Sequence, residues 1–282
     1  MKSDRLADLN GFADNSLKNS LVNKPIVSKG NPMVDNSIHH GLRKSSIEWT
    51  EYSWNPMIGC SHASEECQYC YAEKLALKMQ EDGIRKYADG FTPKFLPQML
   101  DAPKNLLNPT VIFVNSMGDL FHKAFTIEQI LRVIQVMHET PGHVYICLTK
   151  RHERLLELNP DINWPGNLIM GVSIGTNRWV KRADYLRQCN SRHKVISAEP
   201  LLEALPDLNL EGIDWVISSG ESGSGARPFD PQWAEDIRLL AQKSGTAFFH
   251  KQNGGVHKRK TGRKLFGQIY DEYPAVIRNM KR

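Results

Sequence analysis

From Ile47 onward the chain alternates short apolar runs with stretches of helical periodicity. Runs at 111–115, 144–148, 168–173, 194–197, 215–218 and 247–250 are brief and rich in β-branched and aromatic residues, which predicts strands. A first strand is predicted near 54–58. Helical patterns separate several of these runs. Thr126 and Gln129 form a capping box, followed by Ile127, Ile130, Leu131, Ile134 and Met137 at helical spacing. Asp230 and Pro231 read as an N-cap and first helical position; Trp233, Ile237, Leu240 and Ala241 supply a buried face, and Gly245 the stop. Trp179, Val180, Ala183 and Leu186 make a third amphipathic face. Strands alternating with helices predict a mostly parallel sheet with right-handed crossovers. Six or seven such units suit a complete or partial (β/α) barrel, with a doubly wound open sheet as the alternative.

Residues 1–45 break this rhythm. They are rich in Asn, Ser, Gly and Lys and lack apolar periodicity, so a flexible N-terminal extension is expected, with the α/β domain spanning 46–282. His39 and His40, in that extension, read as solvent-exposed. Forty per cent hydrophobic residues suffice for a sizeable core, and no apolar run is long enough for a membrane span. The first residues lack the apolar stretch of a secretory signal. Five cysteines, an odd number, argue against a disulfide framework and for a reducing compartment, the cytoplasm by default. The net charge of +5 is modest, but its placement is uneven: Lys251, Lys258, Arg259, Lys260, Arg263 and Lys264 fall within 250–264 with no acid among them. That cluster suits either a polyanion or a solvated loop.

In parallel α/β folds the working groups gather at the carboxyl ends of the strands. Just past each predicted strand stand Gly59 and Cys60; Asn115, Ser116, Asp119 and His122; Thr149, Lys150 and Arg151; Ser173 and Asn177; Glu199 and Pro200; Glu221 and Arg227 around a glycine-rich turn; and Lys251, Gln252 and Asn253. Singly, each has a structural reading. Asp119 suits a turn cap, and Glu199 an ion pair with Lys150 or Lys251. As a set they predict a pocket on one rim. The glycines at 220–225 match neither a Walker nor a Rossmann pattern.

The rim's most specific signal is Cys60, Cys67 and Cys70, three of the five cysteines within eleven residues. Three thiolates can hold an iron–sulfur cluster and leave one iron open; the amino and carboxylate groups of S-adenosylmethionine would suit that iron, and Tyr69, beside the last cysteine, could pack on its adenine. The rival is a Cys3His zinc site completed by His62. Cys147, inside a predicted strand, and Cys189, at a helix end, read as buried small hydrophobes.

Ile47-Glu48-Trp49-Thr50, Trp54-Asn55-Pro56, the C-x6-C-x2-C run ending Cys-Tyr-Ala, Val114 through Phe121, Leu148-Thr149-Lys150-Arg151, Gly171-Val172-Ser173, Ser197 through Leu201, Gly220-Glu221-Ser222-Gly223 through Arg227-Pro228, and Lys251-Gln252 before Gly254-Gly255 occur in this order. Together they resemble a bacterial and phage family of radical-SAM-like proteins with a three-cysteine motif, largely of unknown function. The resemblance covers about 46–275. It implies a partial (β/α) barrel of the radical SAM type, a [4Fe-4S] cluster on Cys60, Cys67 and Cys70, S-adenosylmethionine as cofactor and an electron donor such as a flavodoxin or ferredoxin. Ser173, Asn177 and Glu199 are then the candidates, with Tyr69, for holding the cofactor, and Asp119, Lys150, Glu221, Arg227 and Lys251 for the catalytic, substrate-facing side. Two departures stand out: six residues separate the first two cysteines where the usual radical SAM motif has three, and Asn253 replaces the family's aromatic after Lys-Gln. Cys-Gln-Tyr-Cys-Tyr is also similar to the cluster motif of the spore photoproduct lyases, radical-SAM DNA-repair enzymes. With the basic 250–264 segment this makes a nucleic-acid substrate conceivable. The alternative function is a non-enzymatic, zinc-binding, nucleic-acid-associated module.

Overall fold

The computed structural model describes residues 41–281. Most of the expected N-terminal extension, His39 and His40 included, lies outside the described residues. Its last part, Leu42–Lys44, is already a strand (β1), pairing antiparallel with Tyr52–Trp54 (β2). The strand predicted at 54–58 is broken. Pro56 has no amide hydrogen to continue a ladder. β2 stops at Trp54, and Met57–Ile58 (β3) leaves to form a two-stranded ribbon with Lys94–Phe95 (β4).

The main sheet continues with β5 (Val111–Val114), β6 (Val144–Thr149), β7 (Leu168–Ser173), β8 (His193–Ala198), β9 (Trp215–Ser219) and β10 (Ala247–Gln252), in the order β1-β2-β5-β6-β7-β8-β9-β10. Every neighbouring pair from β2 to β10 is parallel. The fold is therefore the expected α/β class with a mostly parallel sheet. It is not a closed barrel, since β1 and β10 are edges. Helices α1 (Tyr71–Glu81), α2 (Ile127–Glu139), α3 (His152–Leu158), α4 (Arg182–Gln188) and α5 (Pro231–Ser244) make the crossovers. The predicted capping box at Thr126 and Gln129 forms, and Asp230 caps α5, which ends at left-handed Gly245. No helix joins β8 to β9; Leu201, Leu205, Leu208, Leu210 and Ile213 in that connection fill its place in the core. α6 (Lys258–Thr261) and α7 (Ala275–Met280) follow β10.

Strand residues alternate between two cores, as a period of two requires. Ile112, Val114, Tyr145, Cys147, Met170, Val172 and Ile196 face the helices. Val111, Phe113, Val144, Ile146, Ile169, Val195, Trp215, Ile217 and Phe249 face inward, with Trp49 and Ile277 of α7. Trp49 shows that the sheet curls around this inner core. Its ring centroid lies 4.8 Å from Phe113 on β5 and 6.2 Å from Trp215 on β9. Four strand spacings of about 4.8 Å would hold those strands roughly 19 Å apart on a flat sheet.

Along the strands the inward positions change character. Phe113 gives way to Asn115, Ile146 and Leu148 to Lys150, Ile169 and Gly171 to Ser173, Val195 to Ser197 and then Glu199, and Phe249 to Lys251. The lumen is packed at the amino ends of the strands and polar at their carboxyl ends. Gly171 is required by that packing: a Cβ there would lie 2.4 Å from Val195 Cγ1. Among the described residues no helix is long and apolar enough to cross a membrane.

Candidate active site

At the carboxyl ends of the strands lies a cavity of about 190 Å³. Cys60, Cys67, Cys70, Tyr69, Asp119, Lys150, Ser173, Glu199, Glu221 and Lys251 all line it, with an apolar floor of Ile47, Trp49, Phe113 and Leu148. Ten of the twelve residues singled out from the sequence thus meet in one place. Asn177 and Arg227 are not in the lining. The Asn177 amide donates to Asp207 Oδ2 at 2.7 Å, and its carbonyl accepts from the Asp207 amide at 3.2 Å, so its side chain clamps a loop. Arg227 stands behind Glu221, donating through Nε at 2.8 Å and Nη2 at 2.6 Å, and its Nη1 reaches the Glu65 carbonyl at 3.0 Å.

The cysteine loop is anchored at both ends. Gly59 adopts φ +78° and approaches Thr92 so closely that a Cβ would lie 2.3 Å from its carbonyl oxygen. Its amide donates to the Met117 carbonyl at 2.8 Å, and the Cys60 amide to that of Phe91 at 3.0 Å. Ser61 is held by His122 (Oγ to Nε2, 2.9 Å) and by Arg151, whose Nη2 donates to the Ser61 carbonyl at 2.8 Å and to Cys60 Sγ at 3.6 Å. At the other end Glu66, next to Cys67, is fully buried. It accepts from Ser64 Oγ, the Gly175 amide and, at 2.6 Å, Arg182 Nη1. Arg182 also donates to the Ser173 carbonyl at 2.7 Å and lies 4.2 Å over the Trp179 ring. Glu65 accepts from Trp179 Nε1 and Thr176 Oγ1, both at 3.1 Å. Two consecutive glutamates therefore tie Cys67 to the β7–α4 connection. Cys70 then caps α1.

Burial pushes the Cys60 thiol up to about 11, with Asp119 adding to the effect and Arg151 opposing it. Burial also raises Cys70, against the Glu73 and Ala72 amides and Lys150. Asp119 is heavily engaged. It accepts from Thr149 Oγ1 at 2.8 and 2.9 Å, from the Phe121 amide at 2.9 Å and from the Lys150 amide at 3.3 Å, and lies 3.8 Å from Arg151 Nε. The turn-cap role read from the sequence is present, joined to one that fixes the end of β6. Glu199 pairs with Lys251, the second of its two expected partners. Burial raises the Glu221 carboxyl, but the hydrogen bonds and charge of Arg227 outweigh it, and its pKa lies below the ordinary value.

His122 links the loop to pH. Its Nδ1 accepts from the Ala124 amide at 3.1 Å, so the neutral ring carries its proton on Nε2 and donates it to Ser61. Burial first, then Arg151, holds its pKa below the ordinary histidine value of 6.5. As pH falls through about 6.5 the unfolded chain takes up the proton first, so stability is full above that pH and is lost toward the depressed folded value. The denaturant midpoint is expected to fall between about pH 7.5 and 5.5, and less steeply in His122→Asn. An unchanged slope in that variant would remove His122 from the account.

The donor set discriminates between the two metal readings. His62 Nε2 is bound to Glu73 at 2.9 Å, its side chain is 52% exposed, and it is not in the cavity lining. Among the described residues no three His, Cys, Asp or Glu side chains converge as a group for a metal ion. His62, the fourth ligand that the zinc reading names, is thus turned to Glu73 and lies outside the cavity lining. A cluster is several atoms across, and its thiols must surround a space rather than meet at a point. Cys60, Cys67 and Cys70 do line one space, with Arg151 and Lys150 beside them to balance thiolate charge, so they fit a cluster. Cys147 and Cys189 are buried in the outer core, as expected.

Asn253, the departure noted after Lys251-Gln252, staples the basic segment. Its Oδ1 meets His250 Nε2 at 2.9 Å, and its Nδ2 donates to the Thr261 and Lys264 carbonyls, both at 3.1 Å. Within the segment Lys251 enters the cavity, while Lys260 and Lys264 are exposed.

Glu66, Arg182, Arg151, Trp49 and Asn115 were not among the site residues chosen from the sequence. Asn115 and Arg151 carried the strand-end signal. Arg182 interrupts an otherwise apolar helix face, the one local hint of a buried charge.

Fold and site together define an α/β protein with a mostly parallel, open sheet and a three-cysteine cavity at the carboxyl ends of its strands. The chain belongs to the family described as protein of unknown function (DUF5131), whose model matches residues 44–274. None of the curated proteins matches it. Among solved structures it is similar to a spore photoproduct lyase double mutant with bound AdoMet and dinucleoside spore photoproduct, at 11% identity and a TM-score of 0.45 over 74% of this chain and 65% of that one. Spore photoproduct lyase complexed with the dinucleoside spore photoproduct gives 12% identity and a TM-score of 0.45 over 72% of this chain. The chain spans just under two thirds of the length of these proteins.

Proposed function

We propose that this protein is a radical-SAM-type iron–sulfur enzyme, with a [4Fe-4S] cluster on Cys60, Cys67 and Cys70, S-adenosylmethionine as cofactor and a flavodoxin or ferredoxin as electron donor. One observation carries the reading: three anchored cysteines line one cavity at the rim where a parallel sheet gathers its reactive groups. When bound, such a cluster supplies the electron that cleaves the cofactor's sulfonium and starts radical chemistry.

The chain's own residues do the rest. Arg151 donates to Cys60 Sγ and, with Lys150 near Cys70, disperses thiolate charge. Because burial keeps Cys60 and Cys70 protonated, loading releases protons and is favoured as pH rises. Ser173 offers a hydroxyl for the ribose. Glu199, oriented by Lys251, offers a carboxylate for the amino group. Tyr69 borders the space left for the adenine; Lys74 and Arg227 lie 5.0 and 5.4 Å from its ring. The apolar floor excludes water. Asn177, paired with Asp207 and outside the cavity lining, is given no role in this reading.

Anaerobic reconstitution with iron and sulfide tests this. A reduced four-iron electron spin resonance signal that changes on adding S-adenosylmethionine is expected. Stoichiometric zinc with no cluster would overturn it and leave the zinc-binding module.

A further inference from the structure

We propose that the floor of the cavity is a receptor for an unpaired nucleobase, presented by a nucleotide whose phosphate stays at the rim beside Lys150. This rests on the cavity being the reaction site and names the class of substrate it takes. Two buried donors carry it. Trp49 is 2% exposed and Asn115 3%, both line the cavity, and neither Trp49 Nε1 nor Asn115 Nδ2 has a hydrogen-bond partner among the described residues. The Asn115 amide is not free to turn over: its Oδ1 accepts from the Met57 amide at 3.3 Å, which leaves Nδ2 as the unpaired end. Its backbone is left-handed, φ +57°, a conformation that asparagine tolerates better than most residues.

The arrangement is layered. The Phe113–Ile146 pairing places Asn115 level with Leu148, one inward position below Lys150. Trp49 lies against Phe113, the next inward position toward the amino end of β5. The floor therefore holds apolar rings and two buried neutral N–H donors, and above it Lys150 stands among Asp119, Glu221 and the Glu199–Lys251 pair. Among the described residues Lys150 has no ion-pair partner. Lys260 and Lys264 are exposed on the segment that borders the rim, where the Gly255 amide donates to the Glu221 carbonyl at 2.7 Å.

A buried neutral donor pair selects acceptors on an uncharged edge. A carboxylate or phosphate on the floor would be stripped of water one layer away from the charges that could balance it. An acyl chain would leave both donors unpaired. A nucleobase has carbonyl or ring-nitrogen acceptors on a flat apolar ring, and its phosphate is attached on the side that would face outward. A base stacked and paired in a duplex cannot enter a cavity of this size, so the nucleotide must be single-stranded or extruded.

The test uses the whole chain, as purified and after reconstitution, with the Trp49 indole N–H resonance assigned by Trp49→Phe. A short single-stranded oligonucleotide is expected to shift that resonance, and the same sugar–phosphate strand without bases is not. Trp49→Phe and Asn115→Asp, which keeps the oxygen that accepts from Met57, should each weaken binding by about three- to tenfold. Lys260→Gln with Lys264→Gln should flatten the salt dependence without changing the indole shift at saturation. An indole resonance that moves equally with the abasic strand, or wild-type affinity in both floor variants, would overturn the proposal. A base-dependent shift in a chain that takes up no cluster would keep the receptor and sink the radical reading; a cluster without such a shift would do the reverse.

Discussion

Arg182→Met is expected to lower the unfolding free energy by about 3–5 kcal/mol, a large part of what holds a domain together. The reason is what the substitution leaves behind. Glu66 and Arg182 have no side-chain exposure and pair at 2.6 Å. With the guanidinium gone, a carboxylate stays in the core with only the Gly175 amide and Ser64 hydroxyl to satisfy it. Ser173 also loses the donor to its carbonyl. Replacing both partners, Glu66→Leu with Arg182→Met, should recover much of the loss, because a buried ion pair is worth little over well-packed apolar groups. The double variant should still not restore the site, since only Glu65 would then hold Cys67 to the β7–α4 connection. Urea unfolding reads the first effect and the alkylation rate of Cys67 the second. A single variant within about 1 kcal/mol of wild type would show the pair to be solvated.

That ion pair also marks what the sequence could not display. Period and punctuation made the sheet legible: β5 through β10 fall where short β-branched runs lie between helical faces, because each strand needs one face on the helices and one in the lumen. The rim was legible for the same reason, since an inward position at the carboxyl end of a strand no longer has a core to fill. Ser173, Glu199 and Lys251 could be found by carrying the inward alternation past the last packed position of each strand. Local rules failed where a contact is non-local. Glu66 and Arg182 are 116 residues apart, and nothing near either states that the other is its partner. Asn177 followed a strand like the true lining residues, yet the connection at 199–214 that replaces a helix reaches it and supplies Asp207. Trp49 precedes the first parallel strand and carried no strand-end signal. Only the curl of the sheet brings it under the cysteines with its N–H unpaired.

Single replacement of Cys60, Cys67 or Cys70 by alanine is expected to remove most of the bound iron after reconstitution, whereas Cys147→Ala and Cys189→Ala should retain it. The contrast follows from position. The first three line the cavity beside Arg151 and Lys150; the other two are buried in the outer core, where burial holds both thiols above their ordinary pKa, and neither is in the cavity lining. Arg151→Leu separates ligation from tuning. It leaves all three thiols but removes the donor to Cys60 Sγ and the clamp on Ser61. Iron should still bind. The reduction potential should fall, because a donor and positive charge next to a cluster sulfur favour the more negative, reduced state. Iron per chain and a potentiometric titration read the two quantities separately. Full iron retention in any of the three cavity variants would place the cluster elsewhere, and iron loss in Cys147→Ala with its fold intact would do the same.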